Sequence, residues 1–548
     1  MPRETRLKVL SNQIDRLERR LRRLEALSGR YSWLRLAIVA AGLPAVVAAL
    51  FAVGAWLFWL TLAATVTLLG IVVALHRRVE GAIRRHTIWR RFHEEQVARA
   101  RLDWEQMPTT FRQEPRPAHP FEVDLDLVGA RSLHRLLDRA TTHGGSRRLR
   151  DWLAEAEPDP ARTAARQAIV RELIPRALFC NRMALNATLA ARGRRTWRAE
   201  NLLDWAAHPA EDGTLRRWLL SLGALAGLNA LLLIADVAGL LPPVWRFTWV
   251  VYVVLWLAKS GEAMVVANEA VALQTAFQQL RAAFGYLERF GYHGTPHLQA
   301  LCAPFLDPAH RPSHYLAAIG RVVVAVGLRS NPLLAFLLNA AVPWDFYFAY
   351  RLSRYKIEVA GQAPAWLDAW FDLEALSSLA NLAWLNPDYT LPRFIAVASA
   401  PGPVFAAQGL GHPLLPAGTK VRNDFTVPAL GEVAVITGSN MAGKTVFMKT
   451  VGVNLALAQA GGPVDARALE TVPFRLFASM GIADSVTDGI SFFYAEVRRL
   501  KALLAALHDE EALPLCYFID EIFRGTNNRE RRIGSLSLIH ISEPTRPY

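Results

Sequence analysis

The chain has 548 residues, 52% hydrophobic and 20% charged, with a formal net charge of +14. That length exceeds one hydrophobic core, so several domains are expected, and the composition suits a globular protein carrying some membrane segments. The positive charge favours anionic partners, either nucleic acid or the cytoplasmic membrane face, with a surplus of solvated Arg as the plainer alternative. Cys180, Cys302 and Cys516 lack metal-ligand spacing, which argues against structural zinc and for a reduced compartment.

Residues 1–30 come first. Leu7, Leu10, Ile14, Leu17, Leu21 and Leu24 alternate three- and four-residue steps, the seam of a short basic coiled coil. Either another chain fills that seam, or the helix lies amphipathically on a membrane surface. Leu36 to Leu75 carries no charged residue, about twice the roughly 20 residues needed to cross a bilayer. Pro44 and the Gly54 region divide it, which predicts a transmembrane hairpin over 34–76. Arg30, Arg35, Arg77 and Arg78 flank it, placing both ends in the cytoplasm.

Residues 77–120 read as a helical linker, and 121–400 as a mainly helical region. Within it, Leu125 to Leu153 and Glu262 to Tyr292 have helical apolar spacing. A weaker apolar pair at 218–258 is either a second membrane hairpin or a buried helical pair. From about Arg393 short β-rich runs begin, and 401–534 reads as an α/β domain. In it "EVAVITG" predicts a buried strand feeding a glycine turn, and "VFMKTVGVNLALAQAG" the helix after it.

Between them, Gly438-Ser439-Asn440-Met441-Ala442-Gly443-Lys444-Thr445 satisfies G-x-x-x-x-G-K-[ST] in a strand–loop–helix setting, a P-loop. Such a loop turns backbone N–H groups inward around phosphates at a helix N-terminus. Lys444 would bind the β- and γ-phosphates of ATP, and Thr445 would ligate Mg²⁺. "LPLCYFIDE" supplies a strand, Leu515 to Ile519, ending in two carboxylates. Asp520 would act on Mg²⁺ through water, and Glu521 would polarise the attacking water.

"TGSNMAGKT", "GIADSVTDGISFFYAE" and "FIDEIFRGTNNRE" together resemble the ATPase domain of the MutS family. Ser439 stands where the family usually has Pro, Ala442 where Gly is frequent, and Thr445-Val446 for Ser-Thr. The middle segment fits the family pattern at Asp484, Gly489, Ser491, Phe493 and Glu496. The resemblance implies an α/β P-loop (ABC-type) ATPase domain, preceded by a mainly α-helical core/lever region and N-terminal transmembrane helices. It implies ATP shared across a homodimer of ATPase domains, with Ser491 reaching the partner's γ-phosphate and Asn423 contacting adenine. Weaker likeness reaches upstream to Phe121, and a membrane-associated bacterial subgroup is the nearest match. That places the ATPase domain on the cytoplasmic side of the bacterial inner membrane, with double-stranded DNA as a candidate ligand of the levers.

Two departures limit the inheritance. The family's mismatch-reading domain, with its Phe-x-Glu wedge, has no counterpart before Phe121; Phe92-His93-Glu94 spells the wedge inside a charged helix. Mismatch recognition therefore does not carry over. After Gly534 the family continues with a strand, a His switch and a dimerising tail, whereas 535–548 reads "SLSLIHISEPTRPY". That tail resembles translated sequencing-adapter read-through, so a truncated, inactive chain is expected. An ABC-type transporter and a nucleotide-gated membrane scaffold are the alternatives; no L-S-G-G-Q-like signature supports the first.

Overall fold

The first element, α1 (Arg3–Ala52), is a single helix of 50 residues, and α2 (Ala55–Arg101) returns along it for 47. The computed structural model describes residues 2–533, apart from 53–54, 110, 112, 191–199, 208–211, 329–330, 397–401, 440–441, 481–491, 508, 510–512, 521–528 and 530–531. At 1.5 Å per residue each helix is about 70–75 Å long, over twice the roughly 30 Å of a hydrocarbon core. The apolar tip therefore continues into a charged antiparallel stalk. Pro44 lies inside α1 without ending it.

The pairing lays α2 along part of the leucine seam of residues 1–30. Leu10 and Leu21 are 2% and 4% exposed within the chain's own hairpin, and the other four seam residues are half-buried there. At the base of the apolar tip, His76 is buried in the hairpin, where Arg35 donates to its Nδ1 at 3.2 Å and Ser28 Oγ lies 2.9 Å from its Nε2. A polar layer at this height fixes the register of two otherwise slippery helices. The helical run past residue 77 stops at Arg101, and the next helix starts at Leu133.

Met1–Pro108 with Leu385–Pro387 forms one compact unit, and Thr109–Trp384 with Asp388–Tyr548 forms the other. In the second unit the helices are α3 (Leu133–Leu137), α4 (His143–Leu153), α5 (Pro160–Leu173), α6 (Ala177–Ala190), α7 (Glu200–Ala207) and α8 (Asp212–Val237). They continue as α9 (Trp245–Ala272), α10 (Gln274–Leu287), α11 (Pro296–Leu301), α12 (Ala303–Leu306), α13 (Pro312–Gly327), α14 (Pro332–Ala341) and α15 (Trp344–Leu385). Asp159 caps α5 by accepting from Ala161 N and Arg162 N, with Pro160 at the first helical position, where a missing N–H costs nothing. The helix expected from Leu125 is interrupted: residues 121–132 are turns, and Leu125 and Leu127 are fully buried there.

Two sheets follow. Strands β1 (Arg393–Phe394), β2 (Phe405–Leu410), β3 (Asn423–Val427) and β4 (Ala468–Thr471) form a mixed sheet of order β1-β4-β2-β3. Strands β5 (Arg475–Ser479) and β6 (Leu515–Ile519) pair in parallel, flanked by α16 (Lys444–Gln459) and α17 (Phe492–Leu507). Sheet and helices share one core: Trp366 and Trp370 of α15 cluster with Phe405 and Leu410 of β2 and with Leu455 of α16. The buried strand expected at 432–438 does not form. Neither sheet pairs with that segment, and without a ladder its apolar side chains face water, Val435 being 70% exposed.

Glu374 of α15 is a buried carboxyl that accepts from Thr141 N at 2.8 Å, Thr141 Oγ1 at 2.5 Å and Thr142 Oγ1. Thr142 is also the N-cap of α4, so this one side chain fastens α4 to α15. Burial pushes its pKa up from 4.5 to about 7, and the three donors only partly offset that.

Candidate functional site

The site is built where α16 begins. Gly443 precedes it with φ +88°, a left-handed conformation that favours glycine. Lys444 Nζ folds back to donate to Gly438 O at 2.8 Å, and Ala442 N donates to Ser439 O at 3.2 Å, closing the loop. Thr445 Oγ1 donates to Asp520 Oδ2. Asp520 is carried there by β6, whose ladder with β5 ends in Asp520 N donating to Ser479 O at 3.0 Å. A hydroxyl and a carboxylate 75 positions apart in sequence thus meet at one helix N-terminus. Two hard oxygen donors are what Mg²⁺ prefers, and the free first-turn N–H groups favour an anion.

Asn423 starts β3 and shares the strand face of Phe425, two residues on. The Phe425 ring meets Phe447 of α16 edge-on, centroids 5.2 Å apart, so that face is turned toward the first turn of α16. Asn440, Met441, Ser491 and Glu521 lie outside the described residues, as does the 535–548 tail. Among the described residues, no group of three or more His, Cys, Asp or Glu is placed to hold a metal. Phe92 and His93 are buried within the α2 hairpin rather than presented as a wedge.

Sequence reasoning did not find the charged belt that ties the segment before α3 to this site. Asp124 accepts from Arg499 Nη2 of α17 at 2.7 Å and from Met480 N at the end of β5 at 3.1 Å. Asp126 accepts from Lys449 of α16 at 2.5 Å. Between them Leu125 lies over Gly452, where an added Cβ would sit 2.6 Å from Leu125 Cδ2. Residues 120–126 thus touch α16, the end of β5 and α17 together. Asp124→Ala removes two bonds to a nearly buried carboxylate and is expected to cost about 2–3 kcal/mol, read as a lower midpoint in denaturant unfolding. An unchanged midpoint would remove the belt from the account.

Behind α16 lies a second polar cluster. Asp465 is fully buried between Lys420 Nζ and Arg422 Nη2, the latter at 2.7 Å, and accepts from Tyr389 OH at 3.0 Å. Asn454 of α16 accepts from Asp465 N at 2.7 Å and donates to Gly411 O at 3.0 Å. His412 is held down from 6.5 to about 4, by burial first, with Lys420 and Lys449 adding to it and Asp126 and Asp465 opposing.

His412 and Glu374 make opposite contributions to stability against pH. The His412 contribution is complete above pH 6.5 and is lost as pH falls toward about 4, because only the unfolded chain takes up the proton. The Glu374 contribution is complete below pH 4.5 and is lost as pH rises through about 7, because only the unfolded chain gives the proton up. Each amounts to about 3 kcal/mol at 1.4 kcal/mol per pKa unit, so their slopes largely cancel between. Glu374→Gln is expected to make unfolding midpoints rise with pH across pH 4.5–6.5, and His412→Asn to make them fall. Parallel profiles for the two variants would contradict this.

Comparison with known proteins follows the same ground. The family model "MutS domain V" matches residues 434–540. The chain is 37% identical over 172 residues to the DNA mismatch repair protein MutS 2 of Halobacterium salinarum, covering 31% of this chain and 19% of that one. It is 36% identical over 120 residues to the Endonuclease MutS2 of Thermus thermophilus, covering 22% of this chain and 15% of that one. Against the DNA mismatch repair protein MutS of Anaeromyxobacter dehalogenans it is 29% identical over 463 residues, 74% of this chain and 50% of the relative. The chain thus spans between 15% and 50% of the length of these relatives. The matched segment, similar to MutS domain V, contains Gly438, Lys444, Thr445 and Asp520.

Proposed function

We propose that this protein is a membrane-anchored MutS-like ATPase whose nucleotide site drives movement of its helical levers. The observation that carries the reading is the Thr445–Asp520 hydrogen bond beside Lys444. It joins the two halves of a Mg²⁺–phosphate site from opposite ends of the domain. The backbone of Gly438 to Thr445 would cradle the phosphates, and Lys444 would exchange the Gly438 carbonyl for phosphate oxygens. Thr445 and Asp520 would hold Mg²⁺, and Asn423 would meet the adenine. Bound Mg²⁺ would supply charge neutralisation along the phosphate chain. Glu521 would orient the attacking water, and Ser491 would reach across a homodimer to the partner's γ-phosphate.

Lever coupling rests on residues 120–126, which touch α16, β5 and α17 together. The α1–α2 hairpin supplies the anchor: both helices are long and apolar enough to cross a membrane. Its Arg-flanked base supports a cytoplasmic position of the ATPase at the bacterial inner membrane. The levers would grip double-stranded DNA by its backbone, without mismatch reading, and affinity would fall steeply with salt.

The test is equilibrium binding of a fluorescent ATP analogue, with and without Mg²⁺, followed by duplex binding at rising salt. Mg²⁺-dependent nucleotide binding is the expected result. Its absence would overturn the nucleotide reading, and salt-insensitive or absent duplex binding would overturn the DNA reading alone.

A further inference from the structure

The lever region carries a second large apolar surface that the nucleotide site does not use. It is formed by α8, α9 and α14, which pack on a small apolar cluster of Leu215, Leu222, Tyr252 and Trp256 and turn further apolar faces outward. Polar groups lie between the helices. Thr248 Oγ1 donates to Asn229 Oδ1, Tyr252 OH donates to Asn339 O at 2.6 Å, and Trp249 Nε1 donates to Ala340 O at 3.0 Å. Asn339 is fully buried, donating to Ala335 O at 2.9 Å and accepting from Asp345 N at 3.0 Å. The outward faces are apolar: Leu231, Leu333 and Leu337 are 67%, 77% and 64% exposed.

Charge placement agrees with that arrangement. Residues 218–235, 247–258 and 332–342 contain no Asp, Glu, Lys or Arg. On α8 the uncharged run lies between Arg217 and Asp236, about 27 Å of helix at 1.5 Å per residue, close to a hydrocarbon thickness. Both ends carry amphipathic aromatics. Lys259 sits over the Trp218 ring at 5.4 Å, while Trp245 Nε1 donates to Asp236 Oδ2 at 2.9 Å beside Arg246. Basic and indole groups in two bands mark the headgroup layers of a bilayer. A protein partner would not demand such spacing.

We infer that α8, α9 and α14 form a second membrane-embedded group, so that the lever region itself sits in lipid in addition to the α1–α2 hairpin. Here α14, about 15 Å long, would reach roughly halfway through the bilayer against α9. The inference does not depend on the nucleotide reading. Its consequence is that lever movement is movement within, or against, the bilayer.

The test uses the full chain reconstituted in phosphatidylcholine–phosphatidylglycerol vesicles. Cysteines replace Leu231, Leu337, Leu50 or Val421 one at a time and carry an environment-sensitive fluorophore; the unsubstituted chain, with its own three cysteines, gives the background. Probes at Leu231 and Leu337 are expected to lose about half their emission to a spin label at mid-acyl depth, and Val421 none. Quenching at Leu50 with none at Leu231 and Leu337 would overturn this inference and leave the hairpin anchor standing. Quenching at Leu231 and Leu337 but not Leu50 would uphold it and overturn the anchor. Quenching at none would overturn both. Quenching at only one of the pair would overturn the three-helix group.

Discussion

Replacing Lys444 by Ala is expected to weaken ATP binding by about 100-fold, or about 2.8 kcal/mol. The ammonium stands at the N-terminus of α16 and reaches back over the loop to Gly438 O, the place a β- or γ-phosphate oxygen would take. A charge-assisted bond to phosphate, made where the helix already favours anions, is among the stronger contacts a single side chain offers. Folding should be little affected, because Lys444 is half-buried and its bond to a loop carbonyl can be replaced by water. Unchanged affinity with unchanged unfolding would mean that the loop does not hold phosphate. Asp520→Ala should instead reduce the gain in affinity that Mg²⁺ brings, so the two variants separate phosphate from metal.

Asp465→Ala should be the most destabilising single truncation in the domain. It leaves the Lys420 ammonium, 5% exposed, and the half-buried Arg422 without their carboxylate, and it withdraws the acceptor of Tyr389 OH. Losing one member of a buried ion cluster costs about 3–5 kcal/mol, since the remaining charge stays desolvated. Denaturant unfolding of the detergent-solubilised chain reads this directly. The paired variant Asp465→Ala with Lys420→Met should recover part of the loss, because it removes the stranded charge as well. No recovery would mean that the carboxylate acts through Asn454 and the loop at Gly411 instead.

The sequence was most legible where a local pattern sufficed. The hairpin tip, α16 and β6 have short-range signatures: an uncharged run, a glycine turn before a helix, an apolar pentapeptide before two acids. The bounds of α16 and β6 in the structure follow closely, β6 spanning Leu515–Ile519 as the pattern implied. The seam of Leu10 and Leu21 was legible as a seam, but its partner lies 50 or more residues away on α2, and spacing carries no address. The run from Leu125 to Leu153 was spaced like a helix face, yet Leu125 and Leu127 are buried in turns, with Leu125 over Gly452 of α16. Glu432 to Gly438 has a strand's composition, but a strand exists only when a neighbour offers its ladder, and neither described sheet does so. Within the site, Thr445 and Asp520 are brought together as the motif spacing required. The Asp124 and Asp126 belt gave no signal, because two acids in a polar stretch look like solvated surface until α16 and α17 are folded against them.

The α1–α2 hairpin leaves and re-enters its stalk at the same end. As the membrane anchor proposed above, a segment built in this way would be neutral with respect to sidedness: whatever follows it would emerge on the side from which the chain set out. Lengthening or removing the apolar tip in register would change how far the hairpin reaches without inverting any later part of the polypeptide. Cutting only one of its arms would reverse everything downstream.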